Sequence, residues 1–254
     1  MQNTLPRYPV EAVANALQLL LEFRERPSIG VAETSRLLGV ARSTAHRLLA
    51  MLAHYEFVVQ NEHTRAYHAG PALVALGSVV AANDDVHSAV RPHLETLAST
   101  FGETVHVCTL RGADVVFLGG VESTKALRAG NRTGTVLAAH ATSGGKAMLA
   151  VLGDAAVRER YPREALPALT RRTIRTRTAL LRELQHVRER GFAINDAESE
   201  AGLYALSCTV LSRTGELRGA ITISGPQARF RATDRARMVA AVRSACKAAG
   251  AAIR

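Results

Sequence analysis

Tryptophan is absent from this 254-residue chain, and phenylalanine and tyrosine together supply only eleven residues. Aliphatic side chains must therefore carry the core. Cysteine is scarce as well: Cys108, Cys208 and Cys246 stand far apart, odd in number, with no CxxC or Cys/His spacing. That excludes a zinc site and a disulfide framework, and no metal or cofactor is expected. The three read as buried thiols of a reducing compartment. No stretch of about eighteen residues is apolar and uncharged, as a membrane span requires. The N-terminal MQNTLPRYPV has no apolar signal core either, so a soluble cytoplasmic protein without membrane partners is expected. Lysine is nearly missing, with Lys125, Lys146 and Lys247 alone, yet the formal charge is +10 and the pI about 10.3 because arginine is abundant. Such an excess favours a polyanionic partner. An Arg- and Ala-rich coding bias gives the same pI, so the charge counts only as support.

The most informative segment is Val31–Leu52, VAETSRLLGVARSTAHRLLAML. It predicts a helix over about Glu33–Leu38, a left-handed turn at Gly39, and a second helix over about Ala41–Ala53. Leu38, Val40, Ala45, Leu48 and Leu49 fall where two such helices bury apolar surface against each other, and Ser35 is small where they cross. Arg42, Ser43, Thr44, His46 and Arg47 remain for the outer face of the second helix, in reach of phosphates and base edges in a major groove. An αα-hairpin with a solvated basic face has the same pattern, and the next residues favour DNA binding over it. Phe57–Gln60 reads as a strand, Asn61–Thr64 as a turn and Arg65–His68 as a returning strand. A hairpin directly after a recognition helix is the wing of a winged helix, with Arg65 at its tip beside His63.

Around that unit, Val10–Phe23 has a helical stripe at Val13, Leu17, Leu20 and Leu21 that is expected to buttress the helix-turn-helix. Residues 1–70 thus form a winged helix-turn-helix domain. Ala72–Ala82, ending in Asn83-Asp84-Asp85, reads as an aliphatic linker helix within 71–85, with enough apolar content to help pair two chains. Residues 86–254 form an α/β domain. Its helices are expected at Ser88–Thr100, Ser143–Leu152, Asp154–Tyr161, Thr178–Arg190 and Asp234–Ile253, the last capped by Thr233 or Asp234. Its strands are expected at Thr104–Leu110, Val115–Val121, Gly134–Ala139, Leu203–Leu211 and Leu217–Ser224.

Two of these strands have an unusual split between faces. Period-two alternation puts Tyr204, Leu206, Cys208 and Val210 on one side, and Leu203, Ala205, Ser207 and Thr209 on the other. In the next strand Ile221 and Ile223 oppose Ala220, Thr222 and Ser224. A solvated face usually carries Lys, Glu or Arg, and these small, hydroxyl-bearing faces carry none. They fit a small-molecule cup. His140–Lys146, HATSGGK, joins a strand to a helix, so its backbone N–H groups suit a carboxylate. It is not a P-loop, since His140 and Ala147 replace the required Gly and Ser/Thr. Ser143-Gly144-Gly145-Lys146 matches S-x-x-K, but S-D-N and K-T-G partners are missing, so no catalytic residues are assigned and no enzyme is expected. Asp196, Glu198 and Glu200 have the composition of an acid/base pair or a metal site but read better as a solvated loop, with Asp196 at the cup's mouth.

The order of these parts resembles the IclR family of bacterial transcriptional regulators along nearly the whole chain. The likeness rests on STAHRLLAML and FVVQNEHTRAYHAGPALVALG, HATSGGKAMLA, RGFAINDAESEAGLYAL and ISGPQARF. It implies a cytoplasmic homodimer or tetramer on palindromic double-stranded operator DNA, and repression is the commoner mode. It also implies a C-terminal GAF-like α/β domain that binds a small organic acid or aromatic metabolite and changes operator affinity. By position the effector contacts fall on Ser143, Gly144, Leu203, Ala205, Thr222 and Ser224. Four departures stand out. Ala205 replaces a usual Cys, Ala138 a Pro, Glu56 a Gly after the recognition helix, and Asn15 an Arg. Glu56 is expected to shift the approach to the wing, and Ala205 to widen the pocket slightly.

Overall fold

The computed structural model describes residues 8–82, 85–230 and 232–253. The chain divides into two compact units, residues 1–83 and 84–254. The first contains α1 (Glu11–Glu22), α2 (Val31–Leu38), α3 (Arg42–His54), the hairpin strands β1 (Val58–Gln60) and β2 (Tyr67–Ala69), and α4 (Pro71–Ala82). Gly39 caps α2 in the left-handed region at φ 65°, where a Cβ would be disfavoured. Ser35 does more than keep the crossing narrow, because its hydroxyl donates to the Val40 carbonyl at 2.6 Å and braces the turn.

The core of this unit is Leu19, Ile29, Leu49, Val58 and Tyr67. Ile29 bridges to Tyr67 through two 2.9 Å backbone hydrogen bonds. Of the stripe expected to buttress the unit, Leu20 packs against this core, but the other three residues do not. Val13, Leu17 and Leu21 are 54, 57 and 60 % exposed, whereas Leu19 is fully buried. The helix has apolar residues on two faces, and periodicity alone does not say which one meets α2 and α3.

The wing also departs from expectation. Its second strand starts at Tyr67, and Arg65 lies in the turn with φ 57°. The Asn61 side chain accepts from the amides of His63 and Thr64, both at 3.0 Å. That Asx turn lengthens the tip at the expense of the strand. Glu56 takes the left-handed conformation itself, at φ 58°, and β1 still begins two residues later. The Gly-to-Glu departure leaves the wing in place at the cost of local strain.

The second unit is a six-stranded antiparallel sheet between two helical layers. Its strands are β3 (Thr104–Arg111), β4 (Asp114–Val121), β5 (Val136–Ala138), β6 (Ala193–Asp196), β7 (Leu203–Leu211) and β8 (Leu217–Pro226), in the order β5-β4-β3-β8-β7-β6. Against one face pack α5 (Asp85–Phe101) and α8 (Ala232–Ala252), burying Val90, Leu94, Tyr204, Leu206, Ile221 and Ile223. The other face meets α6 (Ser143–Arg160) and α7 (Arg177–Arg190), which bury Met148, Leu149, Leu180 and Leu184.

As expected, residues 143–160 comprise two helical segments, which meet at a break at Gly153, φ 81° and ψ 164°. β6 was hidden because a four-residue strand next to a polar loop shows little alternation. Asp196 ends that strand instead of sitting in a loop. α8 starts at Ala232, so Thr233 and Asp234 fall inside its first turn rather than before it.

Candidate functional site

Two surfaces concern function, one in each unit. On α3 the side chains of Arg42, Ser43, Thr44, His46 and Arg47 are all exposed, while Ala45 and Leu49 turn into the core. This is the 3.6-residue period at work: one stripe packs on α2, and the complementary stripe is left polar. Arg42, Arg47 and Arg65 have no carboxylate partner among the described residues. Arg36 on α2 is exposed too. The face is cationic and free of internal pairing, as a phosphate-binding surface needs.

The second surface lies between the sheet and the N-terminus of α6. The register sets Ala205 opposite Ser224, Ser207 opposite Thr222 and Thr209 opposite Ala220, so the small residues of β7 and β8 share one face. Over that face comes the start of α6. The Thr142 hydroxyl accepts from the Gly145 amide at 3.1 Å, and the Thr142 carbonyl from Lys146 at 3.0 Å. The amides of Ser143 and Gly144 are left without an intrahelical acceptor. A Cβ at Gly144 would lie 2.5 Å from the Cys108 sulfur, so the helix end approaches the sheet as closely as glycine allows.

Ser143, Gly144, Leu203, Ala205, Thr222 and Ser224 all line one cup. Ser207 and Thr209 do not. Ser207 is fully buried, donating to the Ser143 hydroxyl at 2.8 Å and bonded to Thr222 at 2.6 Å. Thr209 faces a separate hollow against α6. The cup is tight, with about 20 Å³ open to the centre of a water molecule, room for one or two waters.

Its walls include residues that sequence reasoning missed: His106, Phe117, Arg132, Leu137, Asn195 and Ser199. The signal for His106 was present in β3. Thr104, His106 and Cys108 alternate with Val105 and Val107, and they pair with Ser224, Thr222 and Ala220. The alternation that singled out β7 and β8 applies to β3 without change. His106 is 1 % exposed and packs edge-on to Phe117, 5.4 Å between ring centres. Burial, and secondarily the Arg132 charge, lower its pKa to about 4. It is therefore neutral near pH 7, and its Nε2 accepts the Arg132 amide at 3.2 Å. Cys108 behind the cup is pushed up to about 12 by burial, which leaves it an unreactive thiol.

The acidic loop after β6 is only partly solvated. Glu198 is 8 % exposed and accepts from Lys146 Nζ at 2.5 Å. Glu183 stands 3.7 Å from the same ammonium. Burial raises the Glu198 pKa, and Lys146 opposes that shift. Asp196 accepts from Arg172 and Gln227 and does not line the cup. Ser143 and Lys146 have different partners, so the S-x-x-K spacing forms no nucleophile–base pair. Among the described residues no group of three His, Cys, Asp or Glu side chains is placed to hold a metal, and no helix is long and apolar enough to cross a membrane.

A winged helix-turn-helix followed by an α/β unit with a small polar cup defines a ligand-responsive DNA-binding regulator. Residues 12–62 match the IclR helix-turn-helix domain, and residues 78–250 match the bacterial transcriptional regulator IclR C-terminal domain. The chain belongs to the IclR family of transcriptional regulators, a family of regulators and not of enzymes. It is 30 % identical to the HTH-type transcriptional regulator XynR of Escherichia coli over 85 % of this chain and 86 % of that one. To the HTH-type transcriptional repressor AllR of the same species it is also 30 % identical, over 83 % of this chain and 79 % of that one. Among solved structures, a transcriptional regulator of Rhodococcus sp. RHA1 superposes with TM-score 0.84 and 26 % identity, covering 96 % of this chain and 98 % of that one. An IclR homologue of Microbacterium hydrocarbonoxydans in complex with 4-hydroxybenzoate shares the fold, with TM-score 0.79 and 21 % identity over 94 % of this chain and 97 % of that one.

Proposed function

We propose that this regulator is a repressor that reads its operator through Arg42, Ser43, Thr44, His46 and Arg47 in the major groove, with Arg65 anchoring the wing. In the same reading Ser143, Gly144, Leu203, Ala205, Thr222 and Ser224 hold a small organic acid or related metabolite, which changes operator affinity. Residues 71–85 act as the linker helix between a DNA-binding domain, 1–70, and an effector domain, 86–254. The protein works in the cytoplasm as a homodimer or tetramer, consistent with the outward apolar stripe of Val13, Leu17 and Leu21 on α1. The observation that carries the effector reading is the meeting of the small-residue faces of β7 and β8 with Ser143 and Gly144 in one cup at a helix N-terminus. A relative named as a repressor and a fold neighbour bound to an aromatic acid support its chemistry.

The test is fluorescence anisotropy on DNA flanking the protein's own gene. Arg42→Ala and Arg47→Ala are expected to abolish specific binding while leaving metabolite-induced thermal stabilisation intact. If either variant loses the thermal response and retains DNA, the assignment of the two units is wrong.

A further inference from the structure

Among the described residues Arg132 is the only charged side chain in the cup wall, and none of them places a carboxylate there. Its backbone is fixed from both sides: the amide donates to His106, and the carbonyl accepts the Thr135 amide at 2.9 Å and the Thr135 hydroxyl at 2.7 Å. The guanidinium, by contrast, has one ionic partner, Glu200, at 2.6 Å. Glu200 belongs to a second, open hollow of about 660 Å³ lined by Arg172, Ser199, Glu200, Gly202 and Gln227. The two spaces share Ser199, and the Arg132–Glu200 pair spans the boundary between them.

The carboxylate side of this pair is weakly held. Upstream, Ala197 and Glu198 are pinned by the Thr170 and Thr173 hydroxyls, at 2.7 and 2.6 Å, and by Lys146. The tip at Glu200 is 64 % exposed in its side chain, while Arg132 is 21 % exposed. An exposed pair of this kind contributes little stability and exchanges readily. A second carboxylate entering from the hollow meets a guanidinium that is only 21 % exposed, and bidentate pairing favours it over the single 2.6 Å hydrogen bond to Glu200.

We propose that the Arg132–Glu200 ion pair is the latch of the cup's mouth, and that Arg132 selects carboxylate-bearing guests by exchanging Glu200 for the guest. This rests on the reading of the cup as the effector site. The exchange breaks one ion pair and makes another without a proton transfer, and the displaced Glu200 carboxylate, already 64 % exposed, is left to solvent.

A reporter thiol tests it without knowledge of the natural effector. The thiol introduced by Ala205→Cys is placed in the cup wall, and the full-length protein is treated with an anionic sulfonatoethyl or a cationic trimethylammonioethyl methanethiosulfonate. Each rate is normalised to the reagent's rate with 2-mercaptoethanol, and protein without Ala205→Cys reports the native thiols. The anionic reagent is expected to react roughly tenfold faster than the cationic one, the low end of focusing by a charged cleft. Glu200→Gln is expected to raise the anionic rate several-fold, and Arg132→Gln to bring the ratio to about one. Reaction without charge preference, or a preference that survives Arg132→Gln, would overturn the latch and leave the cup. No reaction in any background, including both gate variants, would overturn the cup itself and the latch with it.

Discussion

At the scale of single residues, the clearest strain lies at Glu56, whose φ of 58° suits glycine. Glu56→Gly relieves a left-handed side chain, roughly 1–2 kcal/mol, and adds unfolded-state freedom, about 0.4–1 kcal/mol in the opposite sense. The first is the larger, so a stabilisation of about 1 kcal/mol is expected by urea unfolding. Arg65, exposed at the wing tip, is the residue for a salt experiment. If it contacts a phosphate, Arg65→Ala lowers the slope of log affinity against log salt by about 1. His106 makes a pH prediction. Its folded pKa of about 4 lies below the ordinary histidine value of 6.5, so the unfolded chain binds the extra proton between those values. The stability from a neutral His106 is present above pH 6.5 and lost as pH falls toward 4, by at most about 3 kcal/mol. His106→Gln should flatten the fall in melting temperature over that window. The residue scale is also where the sequence was most legible for which side chains α3 leaves exposed, because that exposure follows from helical period. It was least legible for Arg132, which lies in an irregular loop where no period applies.

At the scale of elements, the buried Lys146–Glu198 pair ties the first turn of α6 to the loop after β6. That loop also carries Ser199 and follows Asn195, whose side chain donates to Ser199 at 2.6 Å and accepts the Glu198 amide at 2.8 Å. Lys146→Met strands a buried carboxylate and should cost about 3–5 kcal/mol, whereas adding Glu198→Leu should restore most of it. A double-mutant cycle by thermal unfolding measures the difference. Sequence reading missed this pair because the two residues lie 52 positions apart. The same distance effect hid Glu200 as the partner of Arg132, 68 positions away, while local signals were read well. β7 was bounded correctly at Leu203–Leu211, and the two helices expected on either side of residue 153 are separated by the break at Gly153. Boundaries failed where a local polar network overrode periodicity, as in the Asx turn that delays β2 to Tyr67.

At the scale of the whole molecule, the two units carry the two halves of a regulator. Coupling between them is a free energy, reciprocal by necessity: an effector that weakens operator binding is itself bound more weakly by the DNA complex. A tenfold change in operator affinity corresponds to about 1.4 kcal/mol. The family, the winged fold and the α/β unit were legible from four motifs in order. The size of the cup was not, since side-chain packing across β3, β7, β8 and α6 closes it to about 20 Å³. The thin aromatic complement is consistent with that closure, because small side chains of the sheet meet a glycine-rich helix end directly.

The measurement that tests the central claim most directly is a gel-shift titration on DNA flanking the protein's own gene, at fixed near-physiological salt and with excess nonspecific competitor. A discrete complex that survives competitor, and that a small carboxylate metabolite releases or tightens, is the predicted result. A shift that competitor removes entirely, with no response to any acid tested, would contradict the account and leave only the nonspecific affinity of a basic protein.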